Sequence, residues 1–128
     1  MSGEISNISK YIFLLHFIVG LIFGLIWFLV PEYWNTLTGW PEEIAAGRIV
    51  GMATLMVAIG CLLAYRANSW DQIEILVIME LIYNSLGAIG MVWNIIVIPT
   101  LPVVAWLLVG LLVLFFVLFL YVYFTEKP

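Results

Sequence analysis

Apolar residues fill four long stretches of this chain, and short polar segments separate them. The predicted stretches cover residues 11–30, 42–65, 73–98 and 103–124. A helix of about 20 apolar residues is long enough to cross the hydrocarbon core of a bilayer. Because lipid offers no hydrogen bonds to the backbone, such stretches are expected to be helical. The pattern therefore predicts four transmembrane helices in a single domain spanning residues 1–128.

The polar segments indicate how these helices are connected. Pro31 and Glu32 are typical of the start of a short interfacial helix, which is expected to end near Gly39. Pro41 is expected in the first turn of the second long helix. The remaining connections are short turns, and short connections place consecutive helices side by side in opposite directions. The predicted fold class is all-α: an integral membrane four-helix bundle with antiparallel neighbours and short loops.

Composition supports a membrane protein and excludes several functions. The chain is 66% hydrophobic and 9% charged, whereas soluble domains are about half apolar and a quarter charged. Its four basic residues are scattered, so we expect the bilayer as partner and no nucleic acid. One cysteine and one histidine exclude an internal disulfide and bis-histidine haem ligation. The spacing along the sequence suggests no zinc or iron site, so no metal and no cofactor are predicted.

The distribution of charged residues predicts the orientation. Lys10, Arg66 and Lys127 fall on one side of the predicted bundle, and Arg48 lies toward the other. Basic residues are more frequent on the cytoplasmic side. The sequence therefore predicts a multi-pass protein of the cell membrane with both termini in the cytoplasm.

A seam of polar and small residues follows the third long helix. It starts at Glu80, in the middle of an apolar stretch, and its other members lie at helical spacing: Asn84, Gly87, Met91 and Asn94. At about 100° per residue these positions stay within about 40° of one line. A carboxylate at this depth is a candidate functional residue. The seam is interpreted either as a groove that binds a ligand or a proton, or as a helix interface joined by hydrogen bonds.

His16 is a candidate partner for Glu80. The first and third long helices run in the same direction, and both residues lie about 8 to 10 Å from the same end of their helices. If these helices are neighbours, imidazole and carboxyl can share a proton or form an ion pair. The alternative is a neutral histidine bonded to a backbone carbonyl near the interface.

Two further features concern helix packing and a surface charge. One face of the first helix carries Gly20 and Gly24, and small residues including Cys61 follow one face of the second, so both are interpreted as packing faces. Cys61 is interpreted as a small buried apolar residue. Arg48 either pairs with Glu32, Glu42, Glu43 or Asn94 at the mouth of the bundle, or extends to the lipid headgroups.

Several motifs resemble a known family. They are Arg48-Ile-Val-Gly51, Leu62-Leu-Ala-Tyr-Arg66, Trp70, Glu80, Pro102, Trp106 and Tyr121-Val-Tyr123. With these residues the chain resembles the DoxX-like group of small four-helix membrane proteins, and more closely its uncharacterised prokaryotic relatives. The resemblance implies four transmembrane helices. It implies no assigned reaction for most members, whereas some are membrane subunits of redox complexes.

These observations favour a membrane protein without catalysis and predict no catalytic residue. The main hypothesis is a membrane subunit or homo-oligomeric bundle with an internal polar network around Glu80. The alternative is a binding or transport protein in which Glu80 handles a proton, a cation or a lipidic ligand. A third hypothesis is an enzyme that uses His16 and Glu80 as acid and base on a lipid-soluble substrate. The predicted binding or seam residues are Glu80, Asn84, His16, Asn94 and Arg48.

Overall fold

The computed structural model describes residues 3–41 and 43–128, and these residues form helices and connecting turns without any strand. The described residues form five helices: α1 Asn7–Leu29, α2 Pro31–Thr38, α3 Ile44–Tyr65, α4 Trp70–Val97 and α5 Val104–Glu126. All except α2 are long and apolar enough to cross a membrane. This is consistent with a multi-pass membrane protein, and the four long helices overlap the four predicted ranges.

The short helix α2 occupies the first polar segment. Pro31 stands at its start, where a backbone N–H would have no acceptor within the helix, so proline's lack of an N–H costs no hydrogen bond. Gly39 ends the helix in the left-handed conformation, with φ of 75°, and its N–H donates to the carbonyl of Asn35. A side chain at this φ would be strained, so glycine is the suitable residue for this helix end.

The starts of all four long helices differ from the predicted ranges: α1 begins at Asn7 instead of residue 11, and α5 at Val104 instead of residue 103. α3 begins at Ile44, after Glu43 in a non-helical conformation, so Pro41 precedes the helix and does not lie in its first turn. Glu42, where this range was expected to begin, lies outside the described residues. α4 begins at Trp70 instead of residue 73, because Ser69 has the extended backbone of an N-cap residue.

α1 packs most extensively against α3, and α4 against α5. Glycines allow α1 and α3 to approach closely. A Cβ atom added at Gly51 would lie 2.5 Å from the backbone nitrogen of Phe28, and one added at Gly20 would lie 3.0 Å from the Cβ of Ala58. Because the first of these neighbours is backbone, it cannot move aside as a side chain can. The two glycine-containing faces therefore form a direct contact between helices.

We call the end of the molecule that holds the start of α1, the end of α5 and the α3–α4 turn the terminal half. Here all four long helices share one buried core, with members that include Ile12, Phe13, Ile73, Phe115 and Phe119. Hydrogen bonds add to this core: the backbone N–H of Ser6 and the hydroxyl of Ser9 donate to Glu126 Oε1 at 3.1 and 2.6 Å. These bonds hold the start of α1 against the end of α5.

The opposite end, which holds α2 and the α4–α5 turn, is the loop half. An aromatic cluster lies where α2 meets α1, with Trp34 in edge contact with both Phe23 and Trp27. Between the α1–α3 pair and the α4–α5 pair, however, the interior is not filled. It contains a cavity to which all four long helices contribute side chains.

Candidate functional site

Three long helices bring His16, Cys61 and Glu80 together inside the molecule. Nδ1 of His16 lies 3.1 Å from Oε1 of Glu80 and 3.2 Å from Sγ of Cys61. The thiol of Cys61 donates to the same oxygen of Glu80 at 3.2 Å. All three side chains are buried, and Glu80 is only 1% exposed. This contact ties α1, α3 and α4 to one another through polar groups.

Asn84 holds the other oxygen of the Glu80 carboxyl group. One turn further along α4, its amide nitrogen donates to Oε2 at 3.0 Å and to the backbone carbonyl of Glu80 at 2.7 Å. Both carboxyl oxygens are therefore hydrogen-bonded, as buried polar groups require. We call His16, Cys61, Glu80 and Asn84 the Glu80 network.

The network leaves one buried atom without a partner. Oδ1 of Asn84 accepts no hydrogen bond from any described residue, although the side chain is fully buried. Exchanging the two amide atoms would place Oδ1 against two other acceptors, so the assignment follows from the bonds to Glu80. An unpaired buried acceptor costs about 1–3 kcal/mol, which a bound donor or cation would recover.

The cavity begins where the network ends. Its volume is about 200 Å³, and His16 and Asn84 line it. We call these two residues the polar floor. The walls are otherwise mostly apolar and include Val19, Gly20, Phe23, Trp27, Gly87, Met91, Leu108, Leu111, Leu112 and Phe115. Glu80 is not part of the lining, but it contacts both residues of the polar floor and so orients their side chains.

Two aromatic rings of α5 fix the imidazole of His16. The ring centroids of Phe115 and Phe119 lie 4.2 and 5.4 Å from that of His16. With Nδ1 directed to Glu80 and Cys61, the other ring nitrogen, Nε2, forms no hydrogen bond with residues 3–41 or 43–128. The imidazole thus has one nitrogen engaged in the network and one without a hydrogen bond to the described residues.

A second polar pair lies on the cavity wall. The hydroxyl of Thr54 donates to the backbone carbonyl of Val50 at 2.8 Å and lies 3.2 Å from the hydroxyl of Tyr83. Because Thr54 has already used its proton, Tyr83 is the donor in this contact. The bond connects α3 to α4 beside the cavity.

The structure does not bring all the predicted seam residues together. Glu80 and Asn84 are buried, and Gly87 and Met91 line the cavity, but Asn94 is exposed and lies outside the Glu80 network. The reason is geometric: Asn94 lies about 80° around the helix from Asn84, and it falls in the half where the helix pairs separate. The continuous seam therefore ends at Met91.

Arg48 also lies away from the network. Its Nη2 donates to Oε1 of Glu32 at 3.1 Å, and both side chains are about half exposed. Of the partners considered for Arg48, the structure thus shows Glu32, on α2; Glu42 lies outside the described residues. Asn94 is not its partner.

Cys61 is a member of the network that the sequence interpretation treated only as a packing residue. The comparison of depths that paired His16 with Glu80 would also have indicated Cys61, which lies one turn before the end of α3. In the structure Cys61 belongs both to the packing face of α3 and to the Glu80 network, because the side of α3 that packs against α1 also faces His16.

Comparison with family models, with curated proteins and with solved structures gives no match to this chain. The similarity to the DoxX-like group therefore remains a prediction based on individual motifs.

Proposed function

We propose that this protein is a non-catalytic membrane protein that binds a lipid-soluble small molecule in the cavity above the polar floor. The observation that carries this proposal is the unpaired Oδ1 of the buried Asn84 beside a mostly apolar cavity. An apolar cavity with a few converging polar groups is the usual form of a small-molecule site. The Glu80 network keeps its own task, which is to join three helices and orient the floor.

The size of the cavity limits the ligand. About 200 Å³ is slightly more than the roughly 150 Å³ cavity that holds a benzene molecule in an engineered protein. The cavity thus suits a ring or a short stretch of alkyl chain, with the remainder of the ligand extending between the helix pairs into lipid. The polar end needs a hydrogen-bond donor for Oδ1 of Asn84, as in an alcohol or a phenol. Because this oxygen is closed to a molecule the size of water, the donor reaches it only when the Asn84 side chain shifts toward the cavity.

The membrane arrangement is part of the proposal. We propose a four-helix bundle with antiparallel neighbours, in the cell membrane, with both termini in the cytoplasm. The reverse order of contacts between α1 and α3 supports antiparallel packing, since Gly20 meets Ala58 and Gly24 meets Leu55. The excess of Lys and Arg at the terminal half supports the orientation.

Photo-crosslinking tests the binding site. The probe is a long-chain alcohol with a diazirine in its tail, added to the protein in lipid nanodiscs, and labelled residues are located by mass spectrometry. We expect labelling at the cavity walls, Met91 and Leu111 among them, and its loss with excess unlabelled alcohol. The matched alkane, which lacks the hydroxyl donor, should label these residues several-fold less.

Two glycines of α4 provide the blocked variant and its control. A side chain at Gly87 would extend toward Leu112, into the cavity, whereas one at Gly90 would meet nothing within 4 Å. Gly87→Leu should abolish cavity labelling, and Gly90→Leu should leave it unchanged. Equal labelling of both variants would contradict the binding function and favour a purely structural bundle, as a membrane subunit or homo-oligomer.

A further inference from the structure

The three atoms where α1, α3 and α4 meet form a nearly equilateral triangle. Its corners are Nδ1 of His16, Sγ of Cys61 and Oε1 of Glu80, and its sides measure 3.1, 3.2 and 3.2 Å. The centre of this triangle lies about 1.8 Å from each corner. An ion at the bond lengths of zinc, about 2.0–2.3 Å, would fit just outside the plane.

Protons alone cannot bond all three sides of this triangle. The thiol and the imidazole N–H can both donate to Oε1 of Glu80. Both protons then point at the carboxylate, so no proton lies between Nδ1 and Sγ. A single cation bonds to all three atoms at once. Each of these atom types is a common zinc ligand, and together they form a mixed nitrogen, sulfur and oxygen set.

Charge selects a divalent ion. With Cys61 as thiolate, Glu80 as carboxylate and His16 neutral, the ligands carry two negative charges. One divalent cation neutralises them, which matters because an unbalanced charge at this depth is costly. Binding releases the thiol proton, together with any proton that His16 and Glu80 share, to the solvent.

The surroundings resemble the outer ligand sphere of a metal centre. Asn84 donates to Oε2, the oxygen that the ion would leave free, and so orients the carboxylate. Of the three ligand residues His16 also lines the cavity, so a fourth ligand, as in zinc sites that interact with small molecules, would have to come from that side.

We propose that His16, Cys61 and Glu80 form a binding site for one divalent cation of the zinc class, with Asn84 as its positioning residue. The ligands lie on three different helices, and for this reason no metal-site spacing is visible along the chain. The inference does not rest on the proposed lipid-soluble ligand, since the ion occupies the network and that ligand occupies the cavity.

Cobalt substitution tests this site directly. The full-length protein in detergent is freed of metal with a chelator and titrated with Co²⁺, followed by competition with Zn²⁺. We expect a thiolate-to-cobalt charge-transfer band that saturates at one ion per chain and disappears as Zn²⁺ is added. Cys61 is the one cysteine of the chain, so such a band can arise from no other residue.

Two variants separate metal binding from folding. Cys61→Ser keeps a hydroxyl donor toward Glu80 and should remain folded by circular dichroism, yet lose the band and the stabilisation by Zn²⁺. Asn84→Ala should retain the band with an affinity about 10- to 100-fold lower, the usual effect of removing an outer partner. A folded native protein without the band, or a Cys61→Ser variant that binds Zn²⁺ as tightly as the native chain, would overturn the proposal.

Discussion

The two halves of this molecule differ in how the same four helices meet. In the terminal half, large side chains from all of them form one buried core, and Phe13 and Phe119 are completely buried. In the loop half, glycines bring α1 and α3 into contact, but the two helix pairs separate and leave a cavity. One half is filled by packed side chains, and the other retains an unfilled space.

The Glu80 network lies at the boundary between these halves. His16 packs against Phe115 and Phe119 of the core on one side and lines the cavity on the other. A costly carboxylate is thus placed where three helices must be held in register at the edge of an unfilled space. Buried polar bonds are suited to this task, because inside a membrane the hydrophobic effect does little to join helices.

Replacing Glu80 should produce the largest loss of stability. Glu80→Leu removes the acceptor of three side-chain bonds and leaves His16 and Asn84 without their partner. Breaking a buried pair in this way costs about 3–5 kcal/mol. Unfolding in mixed micelles measures the loss, and Asn94→Leu, an exposed position on the same helix, should change little. A Glu80→Leu variant as stable as this control would show that the network does not hold the helices.

The conservative change Glu80→Gln should have a smaller effect. Its amide oxygen can still accept from His16 and Cys61, but its nitrogen would face the donating nitrogen of Asn84. One mismatched buried bond costs about 1–3 kcal/mol. The same unfolding experiment should therefore place Glu80→Gln between the native chain and Glu80→Leu. If the two variants lose equal stability, hydrogen bonding is not the role of Glu80.

Truncating one phenylalanine in each half compares their packing directly. Phe119→Ala opens a hole in a filled core, and soluble proteins lose about 3–5 kcal/mol in such a change. We expect a smaller loss in lipid, where the transfer from water does not contribute. Phe23→Ala enlarges a space that already exists and should cost less than Phe119→Ala under the same conditions. The reverse order would contradict the division into two halves.

The exposed ion pair of the loop half should matter least. Arg48 and Glu32 are about half exposed, and such pairs contribute about 0.2–1 kcal/mol. Arg48→Ala should lower stability by no more than this, and the difference should vanish at high salt. If Glu32→Ala and the double variant show the same small loss of stability, neither side chain contributes to stability beyond this ion pair. A salt-independent loss would instead indicate that Arg48 has another partner.

The long helices could be predicted because their signals are local and strong. Apolar stretches of sufficient length, ended by Pro31 or by the turn around Pro99 and Pro102, indicate four candidate spans without knowledge of any contact. The helix starts were less well predicted. Pro41 fits the first turn of a helix, yet α3 begins at Ile44, since a terminus depends on backbone conformations that residue preferences do not determine.

The site could be predicted only in part. The helical period places Glu80 and Asn84 on one face of α4. The similar depth of His16 and Glu80 within their helices suggests that they are partners, but which helices are neighbours depends on packing across the whole bundle. Cys61 was missed as a polar partner because a cysteine on a small-residue face is usually just a packing residue. Asn94 was wrongly predicted to belong to the seam, because helical periodicity does not indicate where two helix pairs separate.

A crystal structure grown from a lipid phase would test the central claim most directly. The account predicts elongated density in the cavity, with a polar atom within hydrogen-bonding distance of Oδ1 of Asn84 and an apolar portion between Gly87 and Leu112. It would be contradicted by a collapsed interior in which Leu112 and Phe115 fill the space and Asn84 Oδ1 is bonded to another residue of the chain.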